Sequence, residues 1–106
     1  MKLIYYIILR ITLALTLILT IWAVFFYVTM IDEVNQEINE KFELAIKYYK
    51  GIDIEQNYKK AYEIFSELVE KYDDIESSLY LADMYRLGQY VEKNYEKAIK
   101  YYEEAI

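Results

Sequence analysis

The chain has 106 residues, 12 basic and 18 acidic, a formal net charge of −6, and no cysteine, histidine or proline. That length holds one small domain at most. The missing residue types remove disulfides, thiolate zinc sites, thiol catalysis and the usual imidazole base. Charge is unevenly placed: residues 3–31 carry only Arg10, whereas residues 32–106 carry ten basic and all eighteen acidic side chains. Such an acidic part opposes binding to nucleic acid or to anionic lipid.

Residues 11–31, ITLALTLILTIWAVFFYVTMI, are 21 consecutive uncharged and mostly apolar positions. As a helix rising about 1.5 Å per residue they span roughly 31 Å, enough to cross a hydrocarbon core. Residues 1–31 therefore read as a transmembrane anchor that meets the lipid bilayer through 11–31. Tyr5 and Tyr6 near the start and Trp22, Phe25, Phe26 and Tyr27 toward the far end fit the aromatic belts of the two interfaces, and Arg10 can snorkel to the headgroups. A cleaved signal peptide is the competing reading, since Lys2 and Arg10 form a basic leading region. The apolar run exceeds the usual ~7–15 residues, however, and bulky Phe25–Val28 occupy the zone where a small-x-small cleavage site belongs. The flank before the span is basic and the flank after it (Asp32, Glu33, Glu37) acidic, which predicts the N-terminus inside and the C-terminus outside. Lys41, Lys47 and Lys50 on the far side weigh against that orientation.

Residues 1–38, MKLIYYIILRITLALTLILTIWAVFFYVTMIDEVNQEI, resemble the first membrane helix and early extracytoplasmic stalk of certain bacterial sensor histidine kinases. The resemblance implies a bacterial inner-membrane anchor with the rest of the chain in the periplasm. It does not carry kinase activity, because there is no histidine to accept phosphate. A chimeric or remodelled reading frame would account for so partial a likeness.

Residues 32–39 form a juxtamembrane helical linker. Because residues 3–50 contain neither glycine nor proline, the membrane helix can run unbroken into the helix that follows, although the polar stretch Asp32–Asn39 can equally hinge.

From residue 40 the chain repeats. Residues 42–69 lie over residues 79–106 at a constant offset of 37, and ten of the 28 pairs are identical. They include Ala45/Ala82, Tyr48/Tyr85, Gly51/Gly88, Asn57/Asn94, Lys60/Lys97 and Ala61/Ala98. The matches concentrate at turn formers and small residues, where geometry restricts choice, so a stacked helical array is expected: repeat 1 over 40–72 and repeat 2 over 73–106. In each repeat a glycine (Gly51, Gly88) ends the first helix and an asparagine (Asn57, Asn94) caps the second. Tyr58, Ala61, Tyr62, Phe65, Leu68, Val69 and Tyr72 make one apolar face, as do Tyr95, Ala98, Ile99, Tyr102, Ala105 and Ile106. The four alanines mark places where paired helices approach closely. The fold class is all-α: one N-terminal transmembrane helix followed by two helix–turn–helix units in a short α-solenoid.

The pattern A-x-x-Y-x-x-G-x-x-V/I-x-x-N-Y-x-K-A, read as Ala82, Tyr85, Gly88, Val91, Asn94, Tyr95, Lys97 and Ala98, resembles the Sel1-like repeat, a relative of the tetratricopeptide repeat. The likeness covers residues 40–106. It implies a protein-interaction scaffold whose first helices line the binding surface. The first copy departs from the pattern with Lys50 before its glycine, and both copies lack a second loop glycine, carrying Asp53 and Tyr90 there. The loop shape is thereby left open. Two repeats also lack a capping helix, so the face of Tyr102, Ala105 and Ile106 either continues in a longer chain or packs against a partner or a second copy.

Catalytic signals are missing. Ser66, Ser77 and Ser78 are the only serines, and none lies in a GxSxG or SxxK context. Calcium-loop and phosphate-loop spacings are absent. Asp73, Asp74 and Glu76 read as a solvated turn that places favourable charge at a helix start rather than as a cation site. No catalytic residue, cofactor or metal is expected. The tyrosines read mainly as packing residues of the array. Helical phase places Glu43, Ile46 and Lys47 of repeat 1 and Tyr80, Asp83 and Met84 of repeat 2 on the outer side of the first helices, as the partner-binding residues. The function expected is a membrane-anchored adaptor for a protein partner. The alternative is a sensory or signalling fragment whose anchor matters more than its repeats.

Overall fold

With neither glycine nor proline before Gly51, nothing interrupts backbone hydrogen bonding along the first part of the chain. In the computed structural model, which describes all residues 1–106, helix α1 runs from Lys2 to Lys50. Three shorter helices follow, α2 (Tyr58–Tyr72), α3 (Ile75–Leu87) and α4 (Tyr95–Glu104), and there is no strand. Packing divides the chain into two units, Met1–Asn35 and Gln36–Ile106.

The first unit is a single helix with its apolar side chains in the open: Trp22 is 70% exposed and Phe25 68%. It is long and apolar enough to cross a membrane, which suits a single span or a signal sequence. Its polar hydroxyls are satisfied within the helix. Thr12, Thr16, Thr20 and Thr29 donate to the carbonyls of Leu9, Leu13, Leu17 and Phe26 at 2.8–2.9 Å. In hydrocarbon, where no water competes, such internal bonds remove the cost of carrying a hydroxyl.

The second unit is built twice on one backbone plan. Gly51 (φ 69°) ends α1, and Gly88 (φ 70°) ends α3. In both loops a left-handed residue follows two positions later, Asp53 (φ 64°) and Tyr90 (φ 65°). The next landmark is an extended asparagine, Asn57 (φ −147°) or Asn94 (φ −146°). The asparagine N–H donates back to the preceding helix, to Tyr48 O at 2.8 Å in one copy and to Tyr85 O at 2.9 Å in the other. Its side-chain oxygen accepts from Lys60 N or Lys97 N, at 3.1 Å in both. Every one of these features recurs at the 37-residue offset read from the letters.

These reversals lay the helices side by side, and the contact points are small. Ala45, Ala61 and Ala82 are fully buried and Ala98 is 2% exposed. Phe65, Leu68, Leu81 and Met84 fill the space between helices, and Phe42, Tyr49 and Tyr80 pack around them. Truncating Phe65 to alanine at such a site costs on the order of 3–5 kcal/mol. At the surface, Lys41 of α1 reaches Glu67 of α2 at 2.7 Å and Glu37 at 3.1 Å, and Lys71 lies 3.7 Å from Glu37. These exposed pairs orient the helices more than they stabilise them.

Two outcomes follow for the full chain in lipid nanodiscs, unfolded with guanidinium and watched through tyrosine near-ultraviolet dichroism. Gly51→Ala and Gly88→Ala should each lose about 1–2 kcal/mol from the left-handed backbone. Gly51→Ala should lose more, because its new Cβ would sit 3.1 Å from Gln56 Cβ, whereas that of Gly88 would meet Lys93 Cβ at 3.5 Å. The second outcome concerns acid. The hydrogen bond from Lys41, then that from Tyr72 and the charge of Lys71, hold the Glu37 carboxyl below its ordinary 4.5. A depressed carboxylate stabilises the fold above its unfolded value and loses that contribution as pH falls through its folded value. The acid-side decline in stability should therefore be shallower in Glu37→Gln, and an unchanged pH profile would refute the assignment.

Candidate functional site

The six residues expected on a common outer face do not share one. Glu43 and Lys47 are exposed on α1, and Ile46 is half-buried against the core. Met84, expected to face outward, is fully buried. Tyr80 is half-buried: its ring stacks on Phe65 (centroids 4.9 Å apart, planes 8° from parallel) and meets Tyr49 edge-on at 5.3 Å. Asp83 is tied down by the Tyr102 hydroxyl, which donates to its Oδ1, and by Arg86 Nη2 at 3.2 Å. The reason is position in the stack. Lys47 and Met84 hold the same place in their repeats, but α1 stands at an edge and α3 is packed against helices on both sides. Helical phase alone treats the two as equal.

The loops of the two repeats form matching clefts. Tyr48, Ile54, Glu55, Gln56, Asn57 and Lys60 line one of about 300 Å³. Their counterparts Tyr85, Val91, Glu92, Lys93, Asn94 and Lys97 line another of about 700 Å³, which Tyr62 and Tyr90 help to enclose. In each a lysine lies over a tyrosine ring, Lys60 over Tyr48 at 5.1 Å and Lys97 over Tyr85 at 5.2 Å. Tyr90 packs on Tyr62 at 5.4 Å, a contact that helps hold a bulky residue in the left-handed region.

Tyrosine hydroxyls join the repeats. Tyr62 and Tyr85 meet oxygen to oxygen at 2.9 Å, and the Tyr49 hydroxyl donates to Gln89 Oε1 at 2.7 Å across 40 residues of sequence. Burial pushes the phenols of Tyr49, Tyr85, Tyr101 and Tyr102 up from their ordinary 10.0, with the Tyr62 contact adding to Tyr85 and the Asp83 carboxylate to Tyr102. They stay neutral at physiological pH and act as hydrogen-bonding struts rather than as acids or bases. No three His, Cys, Asp or Glu side chains converge on one point. The acidic cluster is spent on helix ends: Asp74 Oδ2 accepts from Ser77 N at 3.0 Å and Ser77 Oγ at 2.6 Å, and left-handed Asp73 (φ 51°) closes α2. Sequence reading placed charge at this turn but did not single out Asp74 as the cap. The Tyr49–Gln89 and Tyr62–Tyr85 links also escaped it, since tertiary pairing leaves no local signal.

The chain belongs to a protein family described as a domain of unknown function (DUF8486), whose model matches residues 4–105. Nothing among curated proteins or solved structures matches it. The family spans the apolar helix and both helix pairs as one unit, so a chimeric origin is not needed to explain their joining.

Tyr49→Phe should cost about 1 kcal/mol, the usual net worth of a part-buried hydrogen bond. Tyr95→Phe, at an exposed ring with no hydrogen-bond partner for its hydroxyl, should be neutral. Guanidinium midpoints of the two variants check this, and equal midpoints would remove the strut role of Tyr49.

Proposed function

We propose that this family member is a membrane-anchored scaffold, holding two Sel1-like, tetratricopeptide-type hairpins against a protein partner. The observation that carries the reading is the recurrence, 37 residues apart, of two left-handed turns, an asparagine cap and a backbone bond from that cap to the preceding helix. Stacked helix pairs of this kind expose extended surfaces with nearest-neighbour packing, a geometry suited to binding. The work done is recognition rather than catalysis.

The 21-residue apolar run supports tethering, and its basic leading flank supports an N-terminus in the cytoplasm. On that reading residues 32–106 lie on the far side of a bacterial inner membrane. Glu43 and Lys47, exposed on α1, are the residues of the expected binding set that remain open to a partner. Their opposite charges favour a partner with a mixed polar surface over a strongly acidic or basic one.

The test is an anchor exchange. Residues 1–31 are replaced by an unrelated transmembrane helix of equal length, and the chain is captured from membranes of its native host. The partners of the wild type should be retained, and should be weakened by Glu43→Ala with Lys47→Ala. Loss of every partner on exchange would assign the function to the anchor and overturn the scaffold.

A further inference from the structure

The same helix face is covered in one repeat and bare in the other. On α2, Ala61, Phe65 and Leu68 are fully buried, and Tyr62 is half-buried. Helix α3 lies over them: Tyr80 stacks on Phe65, and Tyr85 meets the Tyr62 ring edge-on at 6.2 Å. The positions 37 residues later are Ala98, Tyr102, Ala105 and Ile99. Only Ala98 is buried there. Ile99 is 54% exposed, Tyr102 and Ala105 are half-buried, and Tyr95 beside them is 60% exposed where its counterpart Tyr58 is half-covered.

The occupant can be read from the covered copy. Helix α3 begins with two small buried residues, Ser77 and Ser78, that allow close approach, and then presents Tyr80, Leu81, Met84 and Tyr85. We propose that the α4 face formed by Tyr95, Ile99, Tyr102 and Ile106 receives a helix hairpin of this same type from a partner protein. The first helix of that hairpin carries small residues at its start and aromatics spaced as Tyr80 and Tyr85 are. This rests on the scaffold reading and gives the partner a chemistry.

A second copy of the chain does not supply that surface. Its α3 is already enclosed, and the equivalent side of its α1 carries Glu40, Glu43 and Lys47 where α3 has Ser77, Tyr80 and Met84, with only Leu44 matching Leu81. Pressing that side onto Ile99 and Tyr102 would strip water from three charged groups without partners. A bilayer is a poor cover too, because Glu96, Lys97, Lys100, Glu103 and Glu104 crowd the same short helix.

The experiment uses the full chain in lipid nanodiscs and, as probe, a labelled synthetic peptide of residues 73–106, whose α3 face is free once outside the chain. Saturable binding is expected. It should weaken at least about tenfold with Ile99→Glu in the full chain and equally with Tyr80→Ala in the probe. Ile99 is already open to solvent, so helix content by far-ultraviolet dichroism should hold, and Ile106→Glu serves as the second variant if it does not. Absence of binding, or binding indifferent to these changes, overturns the proposal. So does dimerisation of the chain through Ile99, or quenching at position 99 by spin-labelled lipid. A host partner captured alike by wild type and Ile99→Glu leaves the scaffold standing and removes this face from it. Probe binding of the expected kind with no partner lost or kept on anchor exchange would do the reverse.

Discussion

A chain that reverses direction between two helices must close the first, cross a short gap and open the second without stranding backbone groups. Here the crossing depends on one asparagine per repeat. Its N–H ties to the carbonyl of Tyr48 or Tyr85, three residues before the glycine, and its side chain takes a free N–H of the next helix. Those two bonds set how far apart the helices start. The buried alanines then set how closely they run, and the aromatic rings of the core fill what remains. Without the crossing, a ten-residue helix such as α4 would have little reason to form in water.

Much of this was written plainly in the letters. Glycine and asparagine are the residues that left-handed backbone and N-terminal caps demand, so Gly51, Asn57, Gly88 and Asn94 marked the helix ends correctly. The loops were less legible. Asp53 and Tyr90 take a left-handed conformation that glycine usually supplies, and nothing in a tyrosine's identity announces that. The candidate surface was legible only in part. Phase along a helix tells which residues share a side, but whether that side meets water depends on neighbours. Glu43 and Lys47 therefore remain open, whereas Tyr80 and Met84 are enclosed. Charge was the better guide: of the six, the residues that stayed fully exposed are charged ones.

The two units solve the burial of polar groups in opposite ways. Along residues 1–35 each threonine hydroxyl reported above bonds to a carbonyl three residues back, within its own helix. From residue 36 onward, tyrosine hydroxyls bond across helices and across repeats. Self-sufficient bonding fits an element that must tolerate hydrocarbon, and shared bonding fits elements that must hold each other. That both occur within one family match makes the pairing of the two a property of the family's unit rather than of this chain alone.

The placement of aromatic side chains has an optical consequence. The only indole, Trp22, stands on the apolar helix, while eleven of the 14 tyrosines lie beyond Asn35 among the hairpins. Light absorbed by tryptophan alone therefore interrogates the lipid-facing segment, with an emission colour that follows local polarity. Phenol absorption and its circular dichroism come largely from the other unit. The molecule is in effect labelled twice by its own chromophores, and insertion and folding can be followed as two separate signals without attaching a dye.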